Sequence, residues 1–135
     1  MKKLLSVALA IVFLAALPVH AGEYDDLRTK VSAARDSLVE MMLNKDKRGA
    51  DQQKLVKDTA DAVSAQLAKM KAPAGKEAKF KELNETWNAF KKTRETELVP
   101  LILKGNDEEA KKIGGGIQKE RITNCQKLIN ELSGS

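Results

Sequence analysis

Apolar side chains in the first part of the chain fall at Tyr24, Leu27, Val31, Ala34, Leu38 and Met41, alternating steps of three and four residues. That seam marks one face of a helix and predicts an amphipathic helix over 23–45. A polar break, Asp46-Lys47-Arg48-Gly49, follows, and the pattern resumes at Val56, Thr59, Val63, Leu67 and Met70. It closes at Ala72-Pro73-Ala74-Gly75, where proline and glycine both act as stop signals. The third seam is Phe80, Leu83, Trp87, Phe90, Arg94, Leu98 and Leu101, ending at Lys104-Gly105. Pro100 lies inside it and predicts a kink in the last turn, because it cannot bond Thr96 and crowds that carbonyl. The fourth opens with Asn106 as the expected N-cap and Asp107-Glu108-Glu109 in the first turn, where the helix dipole favours acids. Its seam is Ala110, Ile113, Ile117, Arg121, Cys125, Leu128 and Leu132.

Four such helices joined by short loops predict an all-α fold, an antiparallel up-down-up-down four-helix bundle. The loops near Lys47 and Gly105 then share one end, and the Pro73 loop shares the other with both termini. No segment alternates as a strand would. No apolar run of membrane length follows Leu132, so this part is expected not to span a bilayer.

The first residues change the charge and the chemistry. Lys2-Lys3, an apolar stretch from Leu4 to Val19, and Val19-His20-Ala21 before Gly22 stand in the order of a secretory leader. The expectation is a signal peptide over 1–21, a single domain over 22–135, and export to the periplasm; retention of 1–21 as an anchor is the rival. The formal net charge of +5 includes Lys2 and Lys3, so the domain itself is only mildly basic. The one histidine, His20, falls in the leader, which leaves no imidazole for general-base catalysis, zinc or haem ligation. Cys125 is the only cysteine, so an internal disulfide, a covalent haem attachment and an iron–sulfur cluster are all excluded. A haem bundle fits the topology and fails on ligands. No cofactor is implied, and carboxylates and lysines spread over outer faces supply no enzyme constellation. Neither a basic block nor an aromatic platform supports nucleic-acid binding.

From Trp87 to Leu132 the residues are more specific. Trp87-Asn88-Ala89-Phe90-Lys91-Lys92-Thr93-Arg94 is followed by Leu98-Val99-Pro100-Leu101. Then come Gly105-Asn106-Asp107-Glu108-Glu109-Ala110 and Gly116-Ile117-Gln118-Lys119-Glu120-Arg121. This order resembles the second hairpin of the four-helix-bundle ligand-binding domain of methyl-accepting chemotaxis receptors. The first hairpin matches in length and pattern. The resemblance implies a sensing domain for a small organic ligand or a membrane receptor partner. Such receptors continue into a second membrane span, and this chain stops at Ser135, which implies a sensor detached from its transmitter. By the same analogy a weak homodimer is expected, with Arg28, Arg35 and Met42 beside the first seam widening its face.

Arg94 is the residue to explain, because a charge at the centre of an apolar seam is costly unless it is paired or hydrated. Thr59 and Arg94 fall at about the same depth, roughly 17 Å from the loops near Lys47 and Gly105 at the helical rise, and Gly114-Gly115-Gly116 lies near that level. Arg94 either offers its fork to a small carboxylate in an interhelical pocket, or pairs with an acid such as Glu97, or extends past a neighbour to solvent. Arg121, roughly 7 Å deeper, either serves the same anion or bridges to Glu85 or Asn88. Gln118 precedes Arg121 in the Gln-x-x-Arg of the last helix. The candidate ligand-binding set is therefore Arg94, Arg121, Thr59 and Gln118. Three consecutive glycines cost roughly 2–3 kcal/mol in a helix relative to alanine, which points to a break, a close helix approach or space for a ligand. Cys125, Met41, Met42 and Met70 read as core rather than as a thiol or copper site. Two functions remain: a periplasmic ligand-binding sensor module without catalysis, or a structural or adaptor bundle whose polar layer fixes register.

Overall fold

A computed structural model describes the backbone of residues 2–134 and the side chains of residues 22–134. The leader and anchor readings of 1–21 lie outside the described side chains. The fold is all-α. Four rods are built from α1 (Lys2–Leu43), α2 (Ala50–Lys69), α3 with α4 (Glu77–Thr93 and Val99–Leu103), and α5 with α6 (Asp107–Gly115 and Ile117–Ser133). A 3-10 turn, Lys45–Lys47, joins α1 to α2, and a π-helical turn, Arg94–Leu98, joins α3 to α4.

Cross-helix bonds give the directions. Lys30 meets Gln66 while Ser37 meets Thr59, so α1 and α2 run oppositely. Trp87 donates to Ser64 and Arg94 to Val56, and Asn124 meets Thr86 while Gln118 meets Phe90, so α3 opposes both α2 and α6. Among the described residues no helix is long and apolar enough to cross a membrane.

All six seam residues of α1 are buried, because an unbroken α-helix keeps its phase. In α2 the buried row is Val56, Ala60, Val63 and Leu67, with Met70 buried just beyond the helix end; Ala60 takes the inner place expected of Thr59, which is half-buried. The last two rods lose phase, each at a visible defect. Pro100 has no N–H to give, and the strain is absorbed one turn earlier: the Val99 N–H reaches back to the Arg94 carbonyl across a π turn. One extra residue per turn rotates the following helix, so Ile102 rather than Leu101 is fully buried. In the fourth rod the helix breaks at Gly116. A Cβ there would stand 2.7 Å from the Lys112 carbonyl oxygen, so only glycine fits. The break shifts the inner face by one residue over the next two turns, while Cys125, Leu128 and Leu132 are buried as expected. Gln118 and Ile122 are buried where Ile117 and Arg121 were expected, and Ile117 is 46% exposed. Asn106 sits at the start of α5 without a side-chain capping bond, contrary to expectation; the start is held instead by Asp107, whose carboxylate lies 2.9 Å from Arg48.

Two apolar clusters result. One joins all four rods toward the Pro73 end and contains Tyr24, Leu27, Val63, Leu83, Trp87, Phe90, Cys125 and Ile129. The other, toward the Gly105 end, is confined to Leu38, Met41, Val56, Leu98, Ile102 and Ala110.

Candidate functional site

The boundary between the two clusters is polar. Ser37, Arg94 and Gln118 are the polar residues buried among the described side chains, and they lie at this level on α1, the π turn and α6. Arg94 is 0% exposed. It meets neither Glu97 nor solvent: Nη1 donates to the Ala34 carbonyl at 2.7 Å and Nη2 to the Val56 carbonyl at 2.6 Å, tying the third rod to α1 and α2. Its Nε is buried without a partner. Burial pulls this guanidinium down to about 10, with Glu95 opposing, so it is still a cation at neutral pH.

Thr59 is occupied locally, donating to the Leu55 carbonyl at 2.7 Å and lying 3.0 Å from the Ser37 hydroxyl, which itself contacts the Ala34 carbonyl. Gln118 spans two helices. Its Nε2 donates to the Phe90 carbonyl at 2.9 Å and its Oε1 accepts from Arg121 Nη1 at 2.9 Å. The same Arg121 nitrogen donates to Thr93 Oγ1 at 2.8 Å, so Arg121 bridges to α3 through Thr93 and not through Glu85 or Asn88. The structure thus brings Gln118 and Arg121 together, and Thr59 to Ser37 beside Arg94. It does not bring the two guanidiniums onto a shared partner.

Packing is incomplete on both sides of this layer. Between α2 and α3 lies an open cleft of about 590 Å³ walled by Arg94, Val56 and Val99. Its lysines already have acids beside them: Lys91 lies 3.0 Å from Asp61 and 3.4 Å from Glu95, Lys57 pairs with Asp61, and Lys54 pairs with Asp58. Hydrogen bonds from Lys57 and Lys91 hold the Asp61 carboxyl below its ordinary range. On the opposite side, between α1 and the α5–α6 junction, is a narrower cavity of about 170 Å³. Leu38, Val39, Met42, Phe90, Leu98 and Ile122 line it, with Gly114 and Gln118 at the helix break and Arg35 and Lys119 at its edge. At Gly114 a Cβ would stand 3.4 Å from the Met42 thioether, an ordinary contact with a flexible side chain. The glycine run therefore supplies a break at Gly116 with a space beside it, and no close helix approach requires it.

Arg48 was not singled out by the sequence. It reaches back under the end of α1, donating to the Met41 carbonyl at 3.0 Å and the Met42 carbonyl at 2.8 Å, and across to the Ile102 carbonyl at 3.2 Å. The available signal was a basic residue shortly after a helix end, where the last carbonyls lack partners. Cys125 is buried, and burial pushes its thiol up to about 12, which leaves it inert. Among the described residues no group of three or more His, Cys, Asp or Glu is placed to hold a metal.

Compared with family models, curated proteins and solved structures, the chain matches none. Its chemistry therefore has to be read from the layer itself. Two openings flank one polar plane; the wider carries lysines already paired with acids, and the narrower has an apolar wall with only cations at its rim.

Proposed function

We propose that this chain is a periplasmic helical-bundle module, exported by the leader in residues 1–21, that binds a small organic molecule without transforming it, in the manner of a chemoreceptor sensor domain. The observation that carries the reading is the cavity between α1 and the α5–α6 junction. It lies beside the helix break at Gly116, where a Cβ would stand 2.7 Å from the Lys112 carbonyl oxygen. A helical bundle built only for stability has no reason to leave that level unfilled, since each void forfeits contacts. Of the four site residues expected from sequence, Gln118 lines this cavity, while Arg94 and Thr59 are committed to the bundle's own carbonyls and hydroxyl.

Arg94 also supports the second reading, a structural or adaptor bundle whose polar layer fixes register, because both terminal nitrogens are spent on helix carbonyls. A homodimer through α1 draws less support: Arg28, one of the residues expected to widen that face, is bonded within the chain to Asp25 and Asn130. A thermal-shift screen of the purified protein against organic acids, amino acids and amines separates the two functions. A ligand at a hundred times its dissociation constant adds about 2.7 kcal/mol. The sensor reading expects at least one class to raise Tm dose-dependently, and the structural reading expects none.

A further inference from the structure

We propose that the cavity between α1 and the α5–α6 junction is a site for a monocarboxylate with a compact apolar body, its carboxylate held at the mouth by Arg35 and Lys119. This rests on the ligand-binding reading above and names the ligand's chemistry. The volume, about 170 Å³, bounds the body. Apolar cavities of about this size accept a benzene-sized group, so six or seven carbons is roughly the limit.

The wall gives the body no polar partner. Val39, Met42, Phe90 and Ile122 are apolar, and the one polar side chain there, the Gln118 amide, is held by bonds to the Phe90 carbonyl and Arg121. A second carboxylate, a hydroxyl chain or an ammonium carried inward would be buried without a bond, at a cost that excludes it. The mouth fixes the sign of the charge. Both titratable residues on the lining are cations, and no acid lines it. Arg35 meets only the exposed Asp36, at 3.6 Å with both side chains more than half exposed, so its guanidinium is free to turn toward an anion. Lys119 is exposed, and no ion pair holds it among the described residues. Both are long cationic side chains that line an otherwise apolar cavity and are exposed to water, a combination suited to a ligand with an apolar body and an anionic head. The cleft across the bundle lacks this polarity, because Asp61 and Glu95 line it beside its lysines.

The probes are benzoate and its neutral relative benzamide, titrated into the purified protein while the methionine methyl resonances are followed by NMR. Benzoate should shift the Met42 methyl, and benzamide should bind at least about tenfold more weakly, the two exposed charge contacts together being worth about one factor of ten. Replacing both cations, Arg35→Gln with Lys119→Gln, should remove the preference for benzoate. Val39→Phe, which fills the cavity from its rim, should abolish the Met42 response, with a circular dichroism spectrum confirming the fold. Equal binding of benzamide and benzoate, unchanged by the double substitution, overturns the acid specificity and leaves the ligand-binding reading standing. A rise in Tm with benzoate that leaves the Met42 methyl unmoved overturns the site. No shift from either probe, or from hexanoate, overturns this proposal, and a blank thermal-shift screen alongside it removes the ligand-binding reading as well.

Discussion

Toward the Pro73 end, aromatic and aliphatic side chains from all four rods meet in one cluster around Trp87 and Phe90, whose rings lie 5.3 Å apart. Toward the Gly105 end the core shrinks to six buried residues, and arginines take over part of its work. Arg48 ties the ends of α1 and α4 through three carbonyls and grips Asp107 at the start of α5; Arg94 ties the π turn to α1 and α2. The difference teaches where apolar area suffices and where it does not. Hydrogen bonds from a charged group contribute about 1.5–3 kcal/mol each, so a few of them offset a missing aromatic, but they hold only in one geometry. The end built this way also contains both chain defects, the π turn and the Gly116 break. The cavity lies at its border with the denser end, lined from both clusters.

The largest effect is expected in the dense half. Trp87→Ala removes a fully buried indole that also donates to Ser64, and should cost about 3–5 kcal/mol in chemical denaturation. A loss under 1 kcal/mol would mean that the cluster around it is not the main support of the fold.

Arg94 sharpens the comparison through two substitutions. Arg94→Ala leaves a cavity between three rods and should cost about 2–4 kcal/mol. Arg94→Met fills most of the volume without a buried charge, and because Ala34 and Val56 sit inside helices their carbonyls keep their backbone bonds. Its stability should fall within about 1 kcal/mol of wild type, or above it. If Arg94→Met proves as damaging as Arg94→Ala, the strap itself and not the packing holds the layer.

Neighbouring glycines give a smaller test. Gly116→Ala places a methyl against the Lys112 carbonyl and should cost about 1–3 kcal/mol. Gly115→Ala meets nothing within 4 Å and should be neutral or stabilising by a few tenths of a kcal/mol to about 1 kcal/mol. Equal effects would show that the break is not fixed by Gly116.

The smallest effect concerns acid. Lys57 and Lys91 lower the Asp61 carboxyl, so its contribution is present above the ordinary carboxylate range and is lost as pH falls through its depressed value. Asp61 is surface-placed, and its loss should stay below about 1 kcal/mol. Asp61→Asn should therefore lower stability slightly at pH 7 and converge with wild type at strongly acid pH; a constant offset across that range would contradict the pairing.

Sequence periodicity carried the fold as far as the helices stayed regular. The seam of α1 was readable from Tyr24 to Met41 because one α-helix keeps one phase, and the fourfold repeat of such seams carried the bundle. It failed where the backbone changed its residues per turn. The π turn moved the inner place from Leu101 to Ile102, and the Gly116 break moved it from Ile117 and Arg121 to Gln118 and Ile122. Pro100 and the glycine run announced both defects, but their direction of rotation depends on backbone geometry that composition does not encode. The polar level was legible from Arg94 and Thr59. Their partners were not, because helix carbonyls leave no mark in a sequence, and for the same reason Arg48 looked like one more loop cation.

Native-state hydrogen exchange tests the account's central claim most directly, that the two halves of the core differ in how they are held. Amides of α4 and α5 should exchange through openings of lower free energy than those of α6 around Cys125 and Ile129, and Arg48→Gln should lower the first group while leaving the difference visible. A single opening free energy shared by both groups, unaffected in its pattern by Arg48→Gln, would contradict it.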